Sequence, residues 1–129
     1  MSCVIDASAA IEALLGDAVA DAALAEMGVF APELVDLEFA SALRKMVLRR
    51  EAPIRPVEEL LAEWANNDVV RCPHVPLLER VWSLRERITT YDASYVALAE
   101  QLGLPLVTAD RRLASVAQEF CEVRLVGQA

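Results

Sequence analysis

The chain has 129 residues, of which 56% are hydrophobic, so we expect one compact domain over residues 1–129. No segment approaches the roughly 20 consecutive apolar residues of a membrane span, and we expect no membrane association. The net charge of −8 excludes broad, non-specific binding of nucleic acid through charge alone.

The cysteine content also limits the class of protein. Cys3, Cys72 and Cys121 are an odd number and show no C-x-x-C spacing, so we interpret them as reduced thiols and not as a disulfide set or zinc site. No basic segment precedes the first apolar run, and we therefore expect no secretory signal. Together these features predict a cytoplasmic protein.

Short apolar runs alternate with helical patterns along the chain. Strands are predicted at residues 3–5, 28–32, 68–72, 104–108 and 122–126, the last of them at the edge of the sheet. Helices are predicted at residues 8–16, 17–27, 33–50, 57–66, 77–88, 89–101 and 110–118. This alternation is typical of an α/β protein, and we predict a three-layer α/β/α domain with a central parallel sheet of about five strands.

The predicted helix at residues 33–50 has apolar side chains on nearly all sides. A helix of this kind is covered on more than one face. We therefore expect the sheet to cover one face and a second subunit another, which predicts a homodimer.

Four acidic residues occupy positions where carboxylates are expected to meet. Asp6 and Asp110 each follow a predicted strand and precede a helix, so parallel neighbouring strands would bring both to one sheet edge. Asp92 begins the helix before the second of these strands. Glu38 faces the apolar stripe of its helix, where an unpaired carboxylate is costly to bury. The alternative is that Asp6 and Asp110 only cap helices and that Asp92 only favours a helix dipole.

Oxygen ligands from these four acids would suit Mg²⁺ or Mn²⁺. Carboxylates with water in the open positions can hold one or two such ions for attack of an activated water on a phosphodiester. Ser8 and Thr108 are near enough in sequence to hydrogen-bond the carboxylates. The pattern thus indicates a metal-dependent hydrolase.

Residues 4–8 (Val-Ile-Asp-Ala-Ser), 32–43 and 91–113 resemble the PIN-domain family, and more narrowly the VapC-type toxins of bacterial toxin–antitoxin pairs. The resemblance implies a PIN-like fold in which Asp6, Glu38, Asp92 and Asp110 are the catalytic, metal-binding acids. It implies Mg²⁺- or Mn²⁺-dependent endoribonuclease activity on RNA, a homodimer, and an antitoxin that pushes a basic side chain into the acidic pocket. Ser41 departs from the Asn that many members carry, although a serine can still hydrogen-bond a carboxylate or a water.

Other residues leave alternatives open. Arg111 and Arg112 follow the last acid and are candidate RNA contacts, with surface salt bridges as the alternative. Trp64 and Trp82 are predicted in the core or an interface, and His74 on the surface or in a loop.

Two other classes of α/β protein also use acidic residues at strand ends, and the sequence lacks a residue that each of them needs. A phosphatase would need a second aspartate where Ser8 stands, and a phospho-receiver domain a late lysine, whereas Lys45 is the only lysine. A catalytically silent PIN-like module that binds RNA or a protein remains the alternative. A rise in melting temperature with Mn²⁺ would separate a metal-binding enzyme from that module, because a ligand of the native state stabilises it.

Overall fold

The architecture was obtained from a computed structural model that describes residues 1–51 and 53–128. The strands are β1 (Ser2–Ile5), β2 (Gly28–Pro32), β3 (Val70–Cys72), β4 (Leu106–Thr108) and β5 (Val123–Leu125). The helices are α1 (Ala7–Leu14), α2 (Ala18–Leu24), α3 (Val35–Leu48), α4 (Val57–Ala65), α5 (Leu78–Ser83), α6 (Thr90–Leu102) and α7 (Arg111–Ala117). A short 3₁₀ turn, Val75–Leu77, precedes α5.

The five strands form one parallel sheet in the order β3-β2-β1-β4-β5. Cys3, Val4 and Ile5 of β1 are all fully buried. Successive side chains of a strand point to opposite faces, so burial of all three means that both faces of the sheet are covered. The predicted parallel α/β sheet is confirmed, and β5 lies at its edge as predicted.

Helix α6 lies against the centre of the sheet, where it contacts β1, β2 and β4. Every residue from Ala93 to Ala99 is buried, so this helix has no solvent-facing side over two turns. It ends at Gly103, whose left-handed conformation (φ 65°) suits glycine because a Cβ is disfavoured there. The same burial holds Asp92 at a fixed place at the start of α6.

The predicted helix at residues 77–88 was too long. Helix α5 ends at Ser83, and residues 84–88 form tight turns with hydrogen bonds such as Arg85 N–H to the Trp82 carbonyl, 3.2 Å. The Ser83 hydroxyl donates to the Arg80 carbonyl (2.6 Å), a local bond that competes with continued α-helix. Trp82, in the last turn of α5, is 68% exposed and lies outside the core, so its predicted place in an interface stays a prediction. Trp64 is buried and is stacked on Phe39 at 5.0 Å.

Helix α3 packs through Val35, Phe39 and Leu43 and leaves other apolar residues uncovered. Leu37 is 77% exposed, and Val47 and Leu48 are also exposed.

Within the described ranges, no helix is both long enough and apolar enough to span a bilayer.

Candidate active site

The four predicted acids line one pocket of about 300 Å³ at the carboxyl ends of the strands. Strand β1 lies between β2 and β4, so the sheet order reverses there and a crevice opens beside it. Asp6 follows β1, Asp110 follows β4, Asp92 lies in the first turn of α6, and Glu38 lies in the first turn of α3. Four separate elements therefore bring carboxylates to one place.

Asp6 is buried and held by three hydrogen-bond donors. Its Oδ1 accepts from the Ser8 hydroxyl (2.7 Å) and from the Ala9 backbone N–H (2.9 Å), which makes it the N-cap of α1. Its Oδ2 accepts from the Thr108 hydroxyl at 2.5 Å. The pairing of Ile5 with Val107 in the sheet explains this contact, because it sets the next residues, Asp6 and Thr108, side by side. Both oxygens of Asp6 are thus oriented by the fold.

Asp110 is also a helix N-cap, but only one of its oxygens is used. Oδ1 accepts from the backbone N–H groups of Arg112 (2.9 Å) and Leu113 (3.2 Å). Among the described residues none donates to Oδ2. The alternative of a capping role is therefore correct for Asp6 and Asp110 as local structure, and it leaves an oxygen of Asp110 available to the pocket.

Glu38 receives a hydrogen bond that sequence analysis did not predict. The buried Tyr95 hydroxyl donates to Glu38 Oε1 at 2.6 Å. Nothing in the described ranges donates to Oε2. Tyr95 lies three residues after Asp92, nearly one turn along α6. Side chains three residues apart lie on the same face of a helix, so this spacing could have predicted that Tyr95 faces the pocket as Asp92 does.

Burial and repulsion from neighbouring carboxylates raise the pKa of three carboxyl groups in the pocket, those of Asp6, Glu38 and Asp92. Burial raises the pKa of Asp6 to about 6, with a further contribution from the charge of Asp92, although the hydrogen bonds to Asp6 oppose the rise. Burial also raises the pKa of Glu38, and Asp92 adds to it, while the Tyr95 hydrogen bond and the charge of Lys45 oppose it.

The pKa of Asp92 is raised by burial and by the negative charge of Asp110, and it is lowered by Thr89 and by the charge of Arg112. Negative charges that raise one another's pKa values form a site of concentrated negative potential. A divalent cation would relieve that repulsion.

The spacing of the carboxylates bears on how an ion would be held. Within residues 1–51 and 53–128, no three acidic, histidine or cysteine side chains are close enough together to enclose a metal ion. Mg²⁺, however, usually keeps several waters and binds through one or two carboxylates. The donor set contains only oxygen ligands, with Asp110 Oδ2 and Glu38 Oε2 available, so these residues fit a hydrated Mg²⁺ or Mn²⁺ ion.

The remaining predicted residues take different places. Ser41 lines the pocket. Arg112 lines an adjoining cleft that also contains Asp92, whereas Arg111 hydrogen-bonds Gln128 near the end of the chain. Lys45, which sequence analysis set aside, also lines the pocket. Lys45 lies seven residues after Glu38, or about two helical turns. This spacing puts both residues on one face of α3, so the sequence could have predicted that they share the pocket.

Comparison with known proteins is consistent with this geometry. The family model described as "PIN domain" matches residues 3–119, which include all four acids. The chain belongs to the PIN-domain family. It is 44% identical over 123 residues to Ribonuclease VapC9 of Mycobacterium tuberculosis, a match covering 95% of this chain and 97% of that protein.

Two further proteins resemble this PIN domain over most of its length. Ribonuclease VapC1 of Mycobacterium tuberculosis is 42% identical over 132 residues, covering 96% of this chain and 97% of that protein. The crystal structure of PAE2754 from Pyrobaculum aerophilum has a TM-score of 0.71 and 28% identity, covering 95% of this chain and 92% of that one. The chain is thus a VapC-type PIN domain, and the resemblance of its three sequence stretches to that group is confirmed.

Proposed function

We propose that the chain is a Mg²⁺- or Mn²⁺-dependent endoribonuclease and the toxin of a type II toxin–antitoxin pair. The observation that carries this proposal is the convergence of Asp6, Glu38, Asp92 and Asp110 on one pocket at the point where the sheet order reverses. The names of the VapC relatives, which are ribonucleases, support the choice of RNA as the substrate. The whole described chain forms the nuclease domain in this proposal.

The four acids would hold the hydrated ion directly or through its waters, and the neighbouring side chains would orient the acids. A bound Mg²⁺ or Mn²⁺ supplies positive charge to the phosphate oxygens and lowers the pKa of the attacking water. The hydroxyls of Ser8 and Thr108 fix the two oxygens of Asp6. Ser41 lines the pocket within the same group of side chains and would hydrogen-bond a water or a carboxylate there.

Glu38 is suited to accept a proton from the attacking water. Tyr95 fixes Oε1 and leaves Oε2 free to accept a proton. Because burial raises the pKa of Glu38, this carboxylate is a stronger base than an exposed glutamate. Lys45 lies in the same pocket and provides a positive charge beside the phosphate.

Cleavage of RNA by the purified chain, freed of any bound partner, tests the proposal. We expect cleavage with Mg²⁺ or Mn²⁺, none with a chelator, and a loss of about 100-fold or more in Asp92→Asn. Asp21→Asn is the matched control, because Asp21 is exposed on α2 and lies outside the pocket. Metal-independent cleavage, or equal activity of the two variants, would contradict the proposal.

Metal binding is tested separately by thermal unfolding. We expect Mn²⁺ to raise the melting temperature of the wild-type chain and of Asp21→Asn, and to have little effect on Asp92→Asn. Absence of both cleavage and metal stabilisation would favour the silent binding module.

The uncovered apolar residues of α3, with Leu37 the most exposed of them, support a homodimer. Light scattering at micromolar concentration should then give the mass of two chains, and the mass of one chain would count against the homodimer.

An antitoxin is proposed as the second partner of the chain. We place both proteins in the cytoplasm, where free thiols such as those of Cys3, Cys72 and Cys121 persist. A bound partner of this kind should suppress the RNA cleavage, and removing it from the chain should restore cleavage.

A further inference from the structure

Ion pairing divides the cationic side chains into two groups. Five arginines are paired with carboxylates at N–O distances of 2.6 to 3.1 Å: Arg55, Arg71, Arg80, Arg87 and Arg124. Within the described ranges, the other seven cations make no ion pair: Arg44, Lys45, Arg49, Arg50, Arg85, Arg111 and Arg112. In a chain of net charge −8, these unpaired cations are the ones most available to an anionic ligand.

A cleft of about 350 Å³ opens beside the four-acid pocket and contains two of the unpaired arginines. Arg85 comes from the turn after α5, and Arg112 from the first turn of α7. Asp92 lines both the cleft and the pocket, so the two spaces adjoin at this residue. A chain-like substrate in the pocket would therefore extend into this cleft.

The arginines of the cleft differ in the groups that their guanidinium atoms already contact. The guanidinium of Arg87 is 2.6 Å from Glu119, which neutralises its charge locally. Among the described residues, Arg85 contacts only neutral groups, since Nη1 donates to the Trp82 carbonyl (3.0 Å) and Cζ lies 4.8 Å from the centre of the Trp82 ring. This arrangement fixes the orientation of Arg85, and its Nε and Nη2 groups donate to no residue within the described ranges.

Arg112 faces the acids from the same cleft. Its positive charge is near enough to Asp92 to oppose the rise in the pKa of that carboxyl. Its backbone N–H is used in the helix cap at Asp110, which fixes the base of the side chain. The guanidinium itself has no carboxylate partner among the described residues.

We propose that Arg85 and Arg112 form a binding subsite for a backbone phosphate of the RNA, next to the phosphate that lies over the four acids. The inference rests on the proposed ribonuclease function and adds the path of the strand across the surface. Lys45 lines the pocket from α3, so the path runs from Lys45, past the acids, to Arg112 and Arg85. Guanidinium groups suit this role because their planar donors match two phosphate oxygens.

Binding of a fluorescently labelled single-stranded RNA, measured by anisotropy with a chelator present, tests the subsite. Arg85→Gln and Arg112→Gln should each weaken binding several-fold. Each should also reduce the slope of log affinity against log salt concentration by about 0.7, the value for one phosphate contact on a single strand. Arg85→Lys should keep the slope, because the positive charge is retained.

Arg87 provides the matched control within the same cleft. The double variant Arg87→Gln/Glu119→Gln should leave both the affinity and the slope unchanged, because it removes a pair whose charges already cancel. Glu119→Gln should tighten RNA binding, because it releases Arg87. The exposed Trp82 ring supplies a local signal: RNA should change the tryptophan emission of the wild-type chain, and this change should be lost in Trp82→Phe.

The outcomes separate the subsite from the ribonuclease activity, because binding is measured without metal. Equal losses in Arg85→Gln, Arg112→Gln and the double variant Arg87→Gln/Glu119→Gln would overturn the inference, as would unchanged salt slopes in the first two variants. If the wild-type chain cleaves RNA while those two variants bind normally, the function stands and the subsite fails. If binding depends on Arg85 and Arg112 but no cleavage occurs, the subsite stands and the nuclease proposal fails.

Discussion

The hydroxyl of Tyr95 donates a 2.6 Å hydrogen bond to Oε1 of Glu38, although the two residues are 57 positions apart in the chain. Tyr95 is buried on α6, and its pKa is raised by burial and by the negative charge of Glu38. The phenol therefore stays protonated and donates throughout the working range of pH. This bond fixes one oxygen of the carboxylate and leaves the other free toward the pocket.

Tyr95→Phe should impair cleavage without unfolding the chain. The ring is retained, but Glu38 loses a hydrogen bond that lowers its pKa. A hydrogen bond to a charged group contributes about 1.5–3 kcal/mol, so we expect about a tenfold loss of rate or more. The pH–rate profile should also rise at higher pH than in the wild-type chain, because the pKa of Glu38 increases. Tyr91→Phe, which changes an exposed tyrosine of the same helix, should alter neither the rate nor the profile.

Thr108→Val should destabilise the fold by about 1–3 kcal/mol, because a buried carboxylate loses its donor. The Thr108 hydroxyl donates to Asp6 and also accepts from the Asp110 backbone N–H at 3.0 Å. Valine has nearly the same shape and can make neither bond. Urea unfolding measures the effect. Thr108→Ser retains the hydroxyl and should recover most of the stability; an equal loss in the two variants would contradict this explanation.

Asp6→Asn should remove a pH dependence from the stability of the metal-free chain. The pKa of Asp6 rises from 3.8 to about 6 on folding, so the native state binds this proton more tightly than the unfolded state. The stability of the wild-type chain relative to the variant should therefore fall as pH increases from about 4 to about 6 and then level off. The full difference is on the order of 2–3 kcal/mol.

Urea unfolding of wild type and Asp6→Asn at pH 4 to 8, with a chelator, checks this dependence. Asp21→Asn is again the control, and its stability relative to the wild type should show no such change over this range. A difference between wild type and Asp6→Asn that is independent of pH would show that Asp6 does not titrate near pH 6. Adding Mn²⁺ above pH 6 should stabilise the wild type more than Asp6→Asn, because only the carboxylate binds the ion.

Asp36→Ala should lower stability and leave the chemistry of the pocket intact. The Oδ1 atom of Asp36 accepts from Trp64 Nε1 (2.8 Å) and from Arg71 Nε (3.1 Å). These bonds connect α3 to α4 and β3. We expect a loss of about 1–3 kcal/mol in urea unfolding, because the indole N–H loses its partner. Cleavage per folded molecule should not change; Glu33→Ala, at an exposed position before α3, should affect neither quantity.

The positions of Asp6 and Asp110 illustrate what could be predicted from the sequence. Each follows an apolar run and precedes a helical pattern, and these are properties of a few adjacent residues. The prediction that they meet also needed β1 and β4 to be parallel neighbours, which the pairing of Ile5 with Val107 confirms. The identification of the fold therefore depended on local patterns repeated along the whole chain.

Trp82 and Arg85 show where local patterns gave the wrong structure. The apolar spacing predicted a helix through residue 88, but bonds within one turn end α5 at Ser83. The turn that follows places Arg85 over an exposed Trp82 ring beside Asp92. Helix propensity alone does not determine such an ending, because tertiary packing commonly overrides small differences in propensity.

The amino-acid sequence by itself determined the order of strands and helices and the four acids at their ends, because these depend on side-chain patterns within one or two turns. Only the tertiary structure decided that Thr108 reaches Asp6, that Tyr95 reaches Glu38, and that Arg112 and Arg85 share a cleft with Asp92. Those contacts depend on strand register and on the rotation of each helix about its axis. Packing of the complete core sets both, and no segment of the chain contains that information alone.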